Sequence, residues 1–328
     1  MRVIVLCVLL LGGLYARTQP AAEEHVLSLS PALQQPANEV SGLARYKNEV
    51  LLITQNLKST RPHCIVAIHG SQIDSACAGV PGCVIGATDS FFIRGLTEFA
   101  DTCAGGYDGL EGAVVVGDQI FFVIETSGAY CHVARGRFGE SGDSLLITID
   151  RTLPIRKPDT GYYNAGFESI GWLEKDSLLF VAFERNRYTH QQTAFSFDTA
   201  FSSIRPWQFD RPLLFRLSDV SAFPGSRFDL VGINTYYPGK PAERRYYISD
   251  ELQAARQRMR GRDPQESCYA ALVGLKLIDG KVQWEELMPI GWENNNWEGI
   301  LPWGNGVLMV VDSPGPRFPT RLSYFSFH

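Results

Sequence analysis

The chain has 328 residues, 45% of them hydrophobic and 20% charged, with 31 Gly and 18 Pro. That composition supports a large apolar core and argues against disordered, collagen-like and coiled-coil architectures. Thirty basic against 35 acidic residues give −5, without the concentrated basic excess of a nucleic-acid binder, so no nucleic-acid partner is expected.

Met1-Arg2 leads into VIVLCVLLLGGL at residues 3–14. This run is shorter than the ~20 residues of a spanning helix and has the pattern of a secretory signal peptide. Ala16 and Ala22 are both suitable cleavage positions. Residues 1–22 are read as the signal and 23–328 as one domain; a buried first strand is the alternative for the apolar run. No later segment is apolar for long enough to span a membrane, and the expected location is secreted or periplasmic. Beyond Cys7, six cysteines remain: Cys64, Cys77, Cys83, Cys103, Cys131 and Cys268. An even number in an oxidising compartment predicts disulfides, with Cys77–Cys83 the favoured local pair and the rest of the connectivity open. No C-x-x-C pair occurs, so a zinc ribbon is unsupported.

One pattern recurs five times, at Ser41–Asn56, Glu111–Glu125, Glu168–Arg185, Val231–Glu251 and Glu298–Ser313. Each copy opens on a small residue, passes a turn signal and ends in a β-branched or aromatic run that meets a polar residue. The turn signals are Lys47-Asn48, Gly117-Asp118, Lys175-Asp176, Pro238-Gly239 and Gly304-Asn305-Gly306. This is a β-hairpin written five times. The anchors Gly42, Gly112, Ser169, Gly232 and Gly299 are 70, 57, 63 and 67 residues apart. Five units of that length fill the chain after the signal and leave no room for a second domain.

A hairpin alone is marginal, so each unit needs more strands. Residues 64–69, 144–149, 213–217, 269–278 and 321–327 read as third strands, and Val282–Ile290 as a fourth. The last unit lacks a fourth strand, and HVLSLS at 25–30 is available to supply it. The fold expected is an all-β propeller of five motif-bearing four-stranded blades, closed by an N-terminal strand completing the last blade. A β-sandwich is the competing architecture. A short surface helix is expected near 250–262, with Arg256, Arg258, Arg260 and Arg262 on a solvated face.

In a propeller the start of strand one and the end of strand two share one axial face. The repeat puts Glu111, Glu168 and Glu298 at the first location and Glu125, Glu184, Asp250 and Asp312 at the second. Carboxylates gathered at one mouth need protons or a cation. Ca²⁺ takes six to eight oxygens, so the expected ligands are Glu111, Glu168, Glu298, Glu125, Glu184 and Asp312, with Asn38, Asp108, Asn164 and Asn296 as further donors. The alternative is that these acids accept hydrogen bonds from backbone amides of neighbouring blades. Loops after strand two carry Lys58, Arg61, Arg185, Arg187 and Arg317, suited to an anionic ligand or to salt bridges with the acidic rim. His190 is the best-placed proton donor among the histidines. Trp172, Trp297 and Trp303 read as core.

The motifs SGLA (41–44), LEGA (110–113), NAGFESIG (164–171) with LLFVAFE (178–184), and NNWEGI (295–300) with LMVVD (308–312) resemble the phytase-like ("esterase-like activity of phytase") family of exported bacterial proteins. The resemblance implies an exported, metal-dependent propeller that hydrolyses phosphoesters. Two features depart from the pattern: Ser169 stands for the small Gly, and the first unit lacks the glutamate. The family form also suggests six blades, and residues 64–107 are where a sixth would lie. The function expected is a phosphoester hydrolase with catalytic Glu168, Arg185 and His190, with Lys58, Arg187 and Arg317 holding a small anionic or phosphorylated ligand. The alternative is a non-catalytic propeller with structural Ca²⁺ that binds a ligand or an envelope or extracellular partner. A monomer is expected in either case.

Overall fold

The computed structural model describes residues 23–35, 39–55, 63–103, 105–142, 144–158, 166–184, 192–211, 213, 215–223, 225–236, 268–291, 295–312 and 319–326. Hydrogen bonding joins the strands into three sheets, two of eight strands and one of four; each eight-stranded one is two four-stranded meanders joined at their outer strands, and each meander is called a sheet below. The first is β2 (Val40–Tyr46), β3 (Glu49–Thr54), β4 (Cys64–His69) and β5 (Asp89–Arg94). The second is β6 (Tyr107–Val116), β7 (Gln119–Thr126), β8 (Tyr130–Ser141) and β9 (Ser144–Arg156). The third is β10 (Phe167–Leu173), β11 (Leu178–Phe183), β12 (Thr193–Phe197) and β13 (Ile204–Phe209). The fourth is β14 (Arg216–Ser221), β15 (Leu230–Tyr236), β16 (Tyr269–Ile278) and β17 (Lys281–Gly291). The last is β18 (Asn296–Trp303), β19 (Gly306–Asp312), β20 (Arg321–Ser326) and, from the other end of the chain, β1 (Glu23–Leu27).

Each group is an antiparallel meander. The first strands pack on one another around a closed circuit: β2 on β6, β6 on β10, β10 on β14, β14 on β18, and β18 back on β2. The architecture is a β-propeller. The expected strand exchange is present, with β1 antiparallel to β20 from Glu23↔Ser326 to Leu27↔Leu322. Parallel pairing joins the outer strands β5 with β9 and β13 with β17. Two short helices, α1 (Gly70–Cys77) and α2 (Leu96–Thr102), flank the first sheet's outer strand in sequence.

The core lies between sheets. Strand two is buried on both faces, which explains its uninterrupted apolar run. In β7, Ile120, Phe122 and Ile124 pack toward the first sheet, and Phe121 and Val123 pack toward the third. Trp297 and Trp303 are buried in the core, and Trp172 packs against it. The small anchor residues have a steric cause. A Cβ on Gly112 would stand 2.7 Å from the Glu168 carbonyl oxygen on the next first strand.

Several expectations need correction. In the fourth sheet Val231–Tyr236 belongs to strand two, and strand one is Arg216–Ser221. VGINTY is apolar because both its faces are covered, while RLSDVS carries Arg, Ser and Asp and so disguises a central strand. The residue equivalent to Gly42 is therefore Asp219, and the spacings become 70, 57, 50 and 80. Residues 144–149 lie in a fourth strand, not a third, because Tyr130–Ser141 intervenes. Residues 213–217 were expected to be the third strand of the third sheet, a role that Thr193–Phe197 fills. Residues 64–107 hold β4, α1, β5 and α2 in place of a sixth sheet. No disulfide joins Cys64, Cys77, Cys83, Cys103, Cys131 or Cys268 among the described residues. The Cys77–Cys83 bridge is not formed, and the Cys83 thiol is turned toward the Gln72 carbonyl at 3.7 Å. The signal segment, the Pro238-Gly239 turn and the helix near 250–262 lie outside the described residues.

Candidate active site at the axial mouth

All five first strands carry a register shift at an equivalent residue, Ser41, Glu111, Glu168, Ser218 and Glu298, and β6 has a second at Asp108. A bulge leaves that residue without a ladder partner and re-aims its side chain. The three glutamates of the sequence pattern are thus the bulge residues of their strands, and all three are buried. In the other two sheets a serine takes the position and ties neighbouring sheets together. The Ser41 hydroxyl donates to the Leu110 carbonyl, and the Ser218 hydroxyl donates to the Trp297 carbonyl at 2.8 Å.

Two residues before the bulge stand Glu39, Gly109, Gly166, Arg216 and Asn296. Four of these are acidic, amide-bearing or absent as side chains; the fifth is a cation. Arg216 extends into the middle of the acids. Its guanidinium lies 3.4 Å from Glu168, 3.7 Å from Glu184 and 2.8 Å from Glu298, and it also donates to Asn296 Oδ1. The Asn296 amide in turn donates to Glu298. The side chains are 12% exposed for Arg216, 7% for Glu168, 1% for Glu184 and 8% for Glu298, so the network is shielded from bulk water.

The remaining acids are held separately. Lys157 donates to Glu125 Oε1 at 3.2 Å and to the Thr126 carbonyl at 2.7 Å. Gln55 donates to Glu111 Oε2 at 2.7 Å across the first two sheets. Gly166 makes room for Glu125: a Cβ there would stand 2.4 Å from Oε1. Asp219, next to the fourth bulge, accepts the Val220 amide at 2.8 Å and the Ile300 amide at 2.9 Å.

Six buried carboxyl groups therefore share the region with one buried cation, Lys157, and one half-buried one, Arg216. Desolvation raises the Glu168 pKa well above the usual carboxylate range; Arg216 pulls it back, and Glu184, Glu298 and Glu111 push it further up. Glu298 is raised mainly by burial against the opposing pull of Arg216. Glu125 is raised by burial to about 7, with Lys157 opposing. Burial likewise raises Asp219 well above its ordinary value, although the two backbone amides favour its charged form. Two acceptor atoms, Glu168 Oε2 and Glu184 Oε1, are buried and make no hydrogen bond among the described residues. A carboxyl that holds a proton beside a fixed guanidinium can donate to a leaving oxygen while the cation steadies negative charge.

The structure brings together Glu168, Glu184 and Glu298, as the repeat implied, and places Glu125 and Glu111 on other partners. For Asp312 only the backbone, at the end of β19, is described. Asp108 is exposed and accepts from Ser127 at 3.1 Å. Lys58, Arg61, Arg185, Arg187, His190, Arg317, Asn38, Asn164 and Asp250 lie outside the described residues. Arg216 and Lys157 were not anticipated as site residues. Arg216 was hidden in a segment read as the tail of another strand, and Lys157 follows β9 in a stretch with no repeat signal.

The place between Glu168, Glu184 and Glu298 is taken by the guanidinium, and no group of three or more His, Cys, Asp or Glu among the described residues is arranged to hold a metal ion. Asn38, Asn164 and the Asp312 side chain, expected as further Ca²⁺ donors, lie outside the described residues. No helix among the described residues is long and apolar enough to cross a membrane.

No protein-family model matches the chain, and no curated protein matches it. Solved structures resemble it in fold. A glucose dehydrogenase is 12% identical with a TM-score of 0.45, covering 90% of this chain and 98% of that one. CoXyl43, a GH43 β-xylosidase/α-arabinofuranosidase from a compost microbial metagenome, is 9% identical with a TM-score of 0.46, covering 90% and 94%. Trypanosoma rangeli sialidase is 8% identical with a TM-score of 0.42, covering 87% and 44%.

Proposed function

We propose that the chain is an exported propeller hydrolase acting on small anionic esters, phosphomonoesters first among them, at the axial mouth. The observation that carries this is Arg216 held between Glu168, Glu184 and Glu298, where burial pushes the Glu168 pKa well above the usual carboxylate range. Arg216 is the anchor for the anionic group. Glu168 protonates the leaving alcohol oxygen as the P–O bond breaks. Water attacks phosphorus and passes its proton to Glu184, whose Oε1 has no donor among the described residues. In sequence, Arg185 directly follows Glu184, and Lys58 and Arg317 follow the ends of β3 and β19; this reading assigns them to the anionic group as further cations. His190, six residues after Glu184 in sequence, is a second proton donor in this reading. Ca²⁺ has no step in it.

The near-complete burial of Glu184 supports a second reading, in which the network is a clasp that fixes the first strands and the mouth only binds. Hydrolysis of p-nitrophenyl phosphate by the chain and by Glu168→Gln separates the two, with Tm measured in parallel. Turnover that disappears in the variant while Tm holds supports the hydrolase. Absence of turnover across a broad phosphomonoester panel, together with a lowered Tm in the variant, leaves the clasp.

A further inference from the structure

The opposite end of the first two sheets carries a separate cleft of about 630 Å³, within the ~300–1,000 Å³ usual for small-molecule sites. It lies at the β2–β3 turn and the β8–β9 hairpin tip, so Tyr46 and the bulge residue Ser41 stand at opposite ends of β2. One wall is an aromatic pair: Tyr46 and Phe138 stack with centroids 3.6 Å apart and planes 14° from parallel. Three carboxylates line the rest, Glu49, Asp89 and Glu140, and none of them forms an ion pair among the described residues. Glu49 also has a buried Oε2 with no hydrogen-bond partner. The one lysine of the lining, Lys47, places its ammonium over the Tyr46 ring, 4.9 Å from the centroid.

We propose that this cleft binds a small organic cation bearing a primary or quaternary ammonium group. Three unpaired carboxylates against one lysine make the lining net negative, which favours a cationic guest over a neutral or anionic one. The electron-rich face of this half-buried aromatic pair attracts an ammonium through the ring quadrupole. Lys47 already satisfies that preference within the molecule, on an exposed turn from which its flexible side chain can withdraw. An incoming ammonium exchanges with the Lys47 head on Tyr46; a primary one also turns its N–H donors toward Asp89 and Glu140, and a quaternary one is held by those carboxylates through charge alone. The site is independent of the chemistry at the axial mouth.

Isothermal titration calorimetry on the full chain tests it with agmatine and choline as cationic probes, glucose as the neutral control and inorganic phosphate as the anionic one. Saturable binding of a cationic probe is expected, weakened about tenfold or more in the double variant Asp89→Asn/Glu140→Gln. Both residues are exposed, so the variant is expected to fold as the parent does. The same double variant should keep the parent's p-nitrophenyl phosphate turnover, which separates failure here from failure at the axial mouth. No heat from either cation at millimolar concentration overturns the proposal. So does glucose binding as tightly as the cations, or a cation affinity that the double variant does not alter.

Discussion

Arg216 and Glu298 meet at 2.8 Å although 82 residues separate them in the chain. Arg216 also reaches Glu168, 48 residues earlier. A guanidinium with its planar fork of donors suits such multiple contacts better than a lysine would. The pair is formed because β14 lies between β10 and β18 in the ring, so the cation of one first strand stands between acids of its two neighbours.

Replacing Arg216 by Met leaves Glu168, Glu184 and Glu298 without their shared counter-charge. A broken buried ion pair costs about 3–5 kcal/mol. The expected loss is of that size near neutral pH and smaller at pH 5, where the buried acids hold their protons at less cost. Urea unfolding of parent and variant at both pH values checks this, and a pH-independent gap would contradict it.

Glu125 sets a pH dependence of stability. Its folded pKa of about 7 lies above the ordinary 4.5, so the folded state keeps a proton that the unfolded chain loses. Stability from this group is fully present below about 4.5 and falls as pH rises through about 7. Glu168 and Glu298, also raised, add in the same direction. Glu125→Gln should flatten the curve between those limits, read as Tm against pH.

Asp219→Ala removes the acceptor of the Ile300 amide, which joins the fourth sheet to the fifth. An orphaned buried donor costs about 1–3 kcal/mol. The expected effect is a loss of stability in that range without change in the sheet spectrum by circular dichroism. Asp219→Asn, which keeps one acceptor oxygen, should recover part of it.

Chelation should have little effect. With Arg216 as the resident cation, EDTA is expected to leave Tm unchanged, and added Ca²⁺ should not raise it. A Tm that drops in EDTA and returns with Ca²⁺ would show that the carboxylates rearrange around a metal.

The parts of the fold that were legible share one physical property. β3, β7, β11 and β19 are second strands covered on both faces, and their apolar runs announce themselves. The exchange of β1 onto β20 was legible from a missing strand at one end and a spare one at the other. β14 was not legible, because its core-facing positions are interrupted by Arg216, Ser218 and Asp219. These polar residues are buried by partners on other strands, and a pattern rule that equates polar with exposed misassigns them. Reading the segment from Val231 as strand one followed from the same cause.

The sequence by itself determined an all-β repeat array, its closing strand and the phase of Glu111, Glu168 and Glu298. These follow from local turn chemistry and the two-residue period of strands. What only the tertiary structure decided is the charge state of the mouth. The cation that meets Glu168, Glu184 and Glu298 comes from a strand with no matching acid, and ring closure brings it there. Burial then decides which acids keep their protons, and burial depends on neighbours that no single stretch of sequence contains.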